Sequence, residues 1–455
     1  MIRRWLNRFF GAAADRADPV APRILPRRQH GIRRQDIHPC ALKVARTLRE
    51  AGFAAFIVGG AVRDLLLKRA PKDFDVATDA RPEDIRRLFR RSRIIGRRFQ
   101  IVHIYCGADT IEVTTFRAHA AQDEADEAER VTGEEGMLLR DNVFGSQEED
   151  AARRDFTVNA LYYDPERDEV WDNHGGVADA QARVLRMIGD PVRRYREDPV
   201  RMLRAARFAA KLDFHIAPTT RAPIAELAPL LANIPPARLF DEMMKLLLSG
   251  HAERGVHQLR AEGLHHGILP MLDVILDDPA RRDFLHAALR DTDNRVRREQ
   301  SASPAFMLAS LLWFDMEQLW QDYRDAGEAA QPALFAAMDE TLERQRRLLA
   351  FPRRLDGTIK EIWTLQPRFE QRGGGRPYRL LSHPRFRAGY DFLLIRARGG
   401  DAAAELADWW TRFQDADENA RAGMLIADAG GAGGRKRPRR RGRRKPAGET
   451  AATDA

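Results

Sequence analysis

Apolar residues change their spacing along this chain, and the changes mark its regions. Between His38 and Glu50, Leu42, Val44, Ala45 and Leu48 fall at helical spacing. Phe56, Ile57 and Val58 then form a short apolar run that predicts a buried strand, followed by Gly59-Gly60 and a helical stretch, AVRDLLL. Asp73 to Thr78 reads as a second strand. Asp79 is suited to cap the helix PEDIRRLF, with Pro82 in its first turn. Strands are predicted over Gln100–Tyr105 and Thr110–Thr115, joined by the turn Gly107-Ala108-Asp109, and again over Val158–Tyr163 and Glu169–Trp171. Residues 118–150 are polar, acid-rich and without period, so a long loop is expected there. From Asp190 to about residue 425 the helical period takes over, interrupted at Pro235-Pro236 and Pro304. The expected fold class is α+β: a head with a mixed sheet over 38–189, then an all-α part comprising a neck at 190–250 and a body and leg at 251–425.

Charge adds the two ends. The chain has 455 residues and a net charge of +9. Residues 435–445, RKRPRRRGRRK, carry nine cations and no anion, and residues 1–37 sum to +6, which leaves 38–434 at −4. A mildly acidic body with basic extremities is a pattern suited to holding a polyanion. Residues 1–37, rich in Arg and Pro, and 426–455, rich in Gly, Ala and Arg, are expected to be largely disordered. Within the first ten residues Ile2, Trp5, Leu6, Phe9 and Phe10 recur at helical spacing among arginines, which suits weak contact with a membrane surface. No apolar run reaches the ~20 residues of a membrane span. The only cysteines are Cys40 and Cys106, from which no disulfide partner and a cytoplasmic location are expected. Neither CxxC nor HExxH occurs, which argues against a dedicated zinc site, and His265-His266 reads as helix surface.

Three motifs carry chemistry. The first is Gly59, Gly60, Arg63 and Asp64, followed by Asp73 and Asp75. Residues i and i+2 of a strand share a face, so Asp73 and Asp75 project together, and a divalent cation relieves their repulsion. Two Mg2+ ions at such a site can activate a hydroxyl and stabilise leaving pyrophosphate. The glycines let backbone approach phosphate, and Arg63 is suited to pair with its oxygens. The second motif is RRDFTVNALYY, with Arg154 and Asp155 at the mouth of a strand. Asp155 is the expected third carboxylate, with Glu112, on a strand near Asp73 and Asp75, as its rival. The third is REDPVRMLRAARF, where Asp198, Arg201, Arg204 and Arg207 recur every three residues on one helix face and can read a base edge and neutralise a triphosphate.

Together VGGAVRDLL, KDFDVATDA, RRDFTVNAL and EDPVRMLRAARFA, spread over 57–210, resemble the ordered motifs of the class II tRNA nucleotidyltransferase and bacterial poly(A) polymerase family of the polymerase-β superfamily. The resemblance implies a catalytic head followed by helical neck, body and leg, Mg2+ on Asp73 and Asp75, and Asp155 within the active site. It further implies base recognition by Asp198 and Arg201, and contacts from Arg63 and Arg154 to phosphates or sugar. IIGRRFQIVHI (94–104), MLLRDNVFGSQEEDAARRDFT (137–157), PPARLFDEMMKLL (235–247), LLSHPRFRAGYDFLLIRA (380–397) and the basic tail are similar to the poly(A) branch. The expected activity is therefore template-independent addition of AMP from ATP to RNA 3′ ends in mRNA processing and decay, with ATP as substrate, RNA as partner and RNA-decay proteins as further partners. The alternatives are CCA addition to tRNA and, in a different class, a catalytically silent RNA-binding protein.

Overall fold

In the computed structural model, the described residues are 22–96, 100–118, 130–132, 138–141, 144–266, 268–269, 271–400 and 402–426. The expected amphipathic segment 1–10 and the cationic run 435–445 lie outside them. An eight-stranded sheet forms the head. Its strands are β1 (Arg23–Pro26), β2 (Ala55–Val58), β3 (Asp75–Thr78), β4 (Ser92–Ile95), β5 (Ile101–Cys106), β6 (Asp109–Thr115), β9 (Leu161–Asp164) and β10 (Glu169–Asp172), while β7 (Arg130–Thr132) and β8 (Leu138–Asp141) pair separately. The spatial order is β1-β10-β9-β2-β3-β6-β5-β4. Neighbours run antiparallel except β3 and β6, which are parallel and set Asp75 beside Glu112 in register. The α+β expectation thus holds, with a mixed sheet.

Three helices complete the first half of the head. They are α1 (Pro39–Glu50), α2 (Gly60–Leu66) and α3 (Pro82–Leu88). His38 caps α1 by accepting from Cys40 N. Cys40, Ala41, Val44, Ala45 and Leu48 of α1 are buried and join Ile57, Val76, Val102 and Val113 from the strands in one apolar cluster. Arg81, not Asp79, precedes α3; Asp79 Oδ1 instead accepts from Ala54 N at 2.8 Å, tying β3 to the entry of β2.

Three expectations need correction. Residues 22–37 are part of the head. Leu25, Ile32 and Ile37 are buried, β1 pairs with β10, and Arg27 and His30 both reach Asp168. Dense Arg and Pro suggested disorder, but three apolar anchors and an edge position that needs hydrogen bonds on one side only are enough to order the segment. Cys40 and Cys106 are bonded to each other, with Cα atoms 6.3 Å apart, because α1 packs across the sheet near the end of β5. The 66 residues between them hide that proximity in the sequence. The polar segment 118–150 is also not one loop. It contains β7, β8 and the helix α4 (Gln147–Arg153), which starts on a capping box between Ser146 and Glu149.

The remainder is helical. The helices that matter below are α5 (Pro191–Glu197), α6 (Val200–Leu212), α7 (Pro236–Leu247), α8 (Ala252–Ala261) and α9 (Pro279–Arg297). Their apolar faces form a cluster that extends to Ile395 and takes in Phe156, Val158, Leu185 and Met187 from the head side. Phe156 meets Phe208 of α6 edge to face at 5.9 Å. A separate cluster around Trp409, Trp410, Phe369 and Phe413 closes the end of the described chain. Among the described residues, no helix is long and apolar enough to cross a membrane.

Phe156 is fully buried where head and helices meet. Phe156→Ala should therefore cost about 3–5 kcal/mol in equilibrium unfolding, with the loss seen as a lower denaturant midpoint.

Candidate active site

The site begins at the end of β2. Gly59, at φ +71, turns the chain from β2 into α2, and its N–H donates to Leu161 O at 3.0 Å. A Cβ at Gly59 would lie 3.2 Å from Arg154 Nη1 and require a backbone conformation that L side chains avoid. Both reasons demand glycine there. Arg63, one turn into α2, is 2% exposed. It donates through Nη1 to Asn159 Oδ1 at 2.6 Å and through Nε and Nη2 to Asp64 Oδ1 at 2.9 and 2.7 Å. Arg63 thus fastens the glycine turn to the 157–159 segment, and its donors are largely committed to protein.

Asp73 is exposed and Asp75, the first residue of β3, is half-buried; Phe74 between them is buried, as alternation requires. Among the described residues no side chain donates a hydrogen bond to either carboxylate. Burial, the charge of Glu112 and the charge of Asp73 push the Asp75 carboxyl up to about 6, against the opposing pull of Arg154. Glu112 sits opposite Asp75 on β6 and has His103 Nε2 at 3.2 Å. Three carboxylates, Asp73 just ahead of β3, Asp75 on β3 and Glu112 on β6, therefore gather with a deficit of positive charge. Their oxygens are hard donors, and the deficit is what a divalent cation such as Mg2+ removes, so the residues fit such an ion. As a trio their oxygens do not all approach within 4.8 Å of one another.

Asp155 is placed differently. It is tied to Arg204 of α6, whose Nη2 and Nε approach Oδ2 at 2.6 and 2.8 Å. Its Oδ1 accepts from Phe156 N at 2.8 Å and Asn159 Nδ2 at 3.1 Å. Burial works against its charge, but Arg204, Asn159 and the Phe156 amide win and bring the carboxyl down to about 2. Arg154 lies closer to the carboxylates. It donates to Tyr162 Oη at 2.9 Å, to Asp150 Oδ2 at 3.2 Å and to Asn159 O at 3.3 Å. Burial opposes the Arg154 charge, yet Tyr162 and Asp150 raise its pKa above the ordinary value.

The expected stripe is assembled, and every member has a partner. Asp198, just ahead of α6, receives both terminal nitrogens of Arg238 at 2.8 and 2.7 Å. Arg201 donates to Arg194 O at 2.7 Å and Glu197 at 3.2 Å. Arg204 reaches Glu242 at 3.6 Å as well as Asp155, and Arg207 donates to Glu242 at 3.1 Å. Phe208 is surrounded by the guanidinium groups of Arg63, Arg204 and Arg207, at 5.8, 5.2 and 4.3 Å from its ring centre.

Four residues that matter here were not singled out from the sequence, and a fifth, Asn159, stands in the RRDFTVNALYY motif without a role of its own. Asn159 bridges Arg63 and Asp155. Arg238 and Glu242 lie four apart on α7 and so share the face turned to the stripe, a spacing the sequence did contain. Arg194 donates to the backbone oxygens of Arg153 and Arg154, both at 2.6 Å, and so fixes the strand mouth. Burial, with Arg201 adding to it, brings Arg194 down to about 10. Lys211 is lowered by burial and by Arg63, while Asp64 and Asp73 oppose the shift, which puts its ammonium in the electrostatic field of the glycine turn and the carboxylates.

Comparison with known proteins gives a consistent picture. Residues 55–186 match a family model described as the poly A polymerase head domain. Residues 213–276 match one described as the probable RNA and SrmB-binding site of polymerase A, and 326–445 one described as the polymerase A arginine-rich C-terminus. The chain is 46% identical to poly(A) polymerase I of Salmonella typhimurium over 431 residues, covering 93% of both chains. It is 37% identical to the CCA-adding enzyme of Bacillus licheniformis over 239 residues, 52% of this chain and 57% of that one. The structure of the Bacillus stearothermophilus CCA-adding enzyme in complex with CTP superposes with a TM-score of 0.56 and 28% identity, covering 83% of this chain and 82% of that chain.

Arg204→Ala would leave Asp155 buried without its cation, and should cost about 3–5 kcal/mol in chemical denaturation. Acid unfolding provides a second measure. The folded value of Asp155, about 2, lies below its unfolded value near ~3.9. Its contribution is therefore complete above about pH 4 and lost as pH falls towards 2; Arg204→Ala removes the main cause of the lowering, so this acid-dependent loss should shrink or vanish in the variant.

Proposed function

This chain belongs to the bacterial poly(A) polymerase family, and from that premise we propose how its residues carry out template-independent addition of AMP to RNA 3′ ends. The observation that carries the reading is the arrangement of Asp75 and Glu112 on adjacent strands with Asp73 just ahead of the first, within reach of a glycine turn held by Arg63 and Asn159. The chain is a nucleotidyltransferase. Its similarity to poly(A) polymerase I runs almost end to end, whereas similarity to CCA-adding enzymes covers about half the chain. Two further family models of polymerase A match the helical part and the arginine-rich C-terminus.

Asp73 and Asp75 hold the metal, with Glu112 as the third carboxylate. Bound Mg2+ supplies the charge that makes the RNA 3′ hydroxyl acidic and stabilises departing pyrophosphate. Gly59 and Gly60 offer backbone close to the ATP phosphates, while Arg63 keeps that turn in place. Arg154 adds a fixed cation beside Asp75, where negative charge builds up as the α-phosphate is attacked. Asp155 acts at one remove: it orients Arg204. Asp198 and Arg201 meet the adenine edge; Arg238 holds both oxygens of Asp198, so the acceptor pattern offered to the base is fixed before ATP arrives. Arg204 and Arg207 add positive charge along the same helix. RNA is held by the helical part and the basic tail, which contributes sequence-independent affinity. The match of 213–276 to a described RNA and SrmB-binding site fits an RNA-decay partner as well.

Asp73→Ala or Asp75→Ala should abolish AMP incorporation in a primer-extension gel while gel-shift binding of the RNA persists. Normal extension by either variant would sink the metal assignment. Glu112→Gln should lower kcat about 100-fold or more and raise the Mg2+ needed for half-activity. Asp155→Asn, in contrast, should lower thermal stability and leave the Mg2+ requirement unchanged. Given each nucleotide singly, the enzyme should build long tails from ATP; CTP incorporation that stops after two residues would point to CCA addition instead.

A further inference from the structure

Away from the carboxylates, two groups of side chains among the described residues bring three metal-binding atoms within 4.8 Å of one another: Glu253, His257 and His286, and His265, His266 and Asp273. In the second group the carboxylate is already engaged from three sides, by His265, His266 and Arg260. His265 is buried rather than on a helix surface, and its Nε2 lies 2.8 Å from Asp273, which Arg260 also approaches at 3.4 Å.

The first group is built differently. Glu253 and His257 lie four apart on α8 and therefore share one face of that helix. His286 comes from α9, which packs against α8. His286 Nδ1 is 3.2 Å from Glu253 Oε1, and the His257 and His286 rings stand edge to face with centres 5.0 Å apart. Ligands bound at the usual zinc distances around a tetrahedral ion sit about 3.4 Å apart, close to the separation seen. The other His286 nitrogen, Nε2, is buried without a hydrogen-bond partner, so the contact to Glu253 is the polar contact that orients this ring. Arg290 Nε also approaches Glu253 Oε1, at 3.4 Å, but its side chain is 59% exposed and can turn to solvent. Two imidazoles and one carboxylate suit Zn2+, Co2+ or Ni2+ and are a poor set for Mg2+, which prefers oxygen alone.

We propose that Glu253, His257 and His286 form a structural site for a transition-metal dication, separate from the Mg2+ site. The absence of CxxC and HExxH does not bear on it, because the ligands come from two helices. The ion joins α8 to α9, and α8 in turn packs on α6, the helix that carries Arg204 and Arg207. Its effect is to stiffen the support behind the stripe, with no part in the chemistry.

The test uses the full-length protein, stripped with EDTA and kept in excess Mg2+, titrated with Zn2+ by calorimetry and with Co2+ by visible absorption. One equivalent of Zn2+ that Mg2+ does not displace, a higher thermal unfolding midpoint and a cobalt band in the visible are expected. His257 is exposed, so His257→Ala should fold normally. It should remove the cobalt band and weaken Zn2+ binding at least about tenfold, while AMP incorporation in Mg2+ alone and the midpoint in EDTA stay unchanged. Zn2+ binding that survives His257→Ala, binding lost instead in His266→Ala, or no saturable equivalent at all would each overturn the proposal.

Discussion

A charge taken out of water must meet an opposite charge, and Asp155 shows how far that rule reaches in this molecule. Its carboxylate sits where the head passes into the helices. Arg204 of α6 satisfies it, and Arg204 in turn needs Glu242 of α7, which also takes Arg207 and Lys245. On the other side Asn159 links Asp155 to Arg63 and so to the glycine turn. The glycine turn and the Arg204–Arg207 part of the stripe are thereby joined in one chain of hydrogen bonds and ion pairs. Such buried pairs add little net stability, since desolvation consumes most of the attraction. What they do is specify: a displaced helix would leave a carboxylate without its cation.

Much of this was legible in the sequence, and the remainder was hidden for identifiable reasons. The motif Gly59-Gly60, the aspartates and the stripe were visible because each lies within a short stretch. The strand pairing was not. Both β3 and β6 could be predicted, and so could the nearness of Glu112 to the aspartates, but that the strands run parallel and pair Asp75 with Glu112 in register depends on how the chain between them returns. The same holds for Cys40 and Cys106. Composition misled at β1, where arginines suggested disorder and a few buried side chains decided otherwise. Arg63 read as a phosphate ligand because an exposed arginine next to glycines would be one; in the fold it is enclosed.

The stripe also draws on chain beyond the short motifs that announce it. Asp198 and Arg201 belong to EDPVRMLRAARFA, whereas Arg238 comes from PPARLFDEMMKLL, further along the chain. Both carboxylate oxygens of Asp198 are therefore held by a residue from outside its own motif, and a reading confined to that motif would not see it.

Phe156 follows Asp155 directly, yet its ring belongs to the large helical cluster that extends to Ile395. The residue that holds the charge network and the residue that anchors the core are thus neighbours on one short backbone segment. In genetic terms, the head and the helices are not separable traits. A mutagenesis screen for heat-sensitive loss of tailing would return alleles spread through the helical interior, at positions far along the chain from any carboxylate, since loosening that interior shifts Asp155 and with it Arg204.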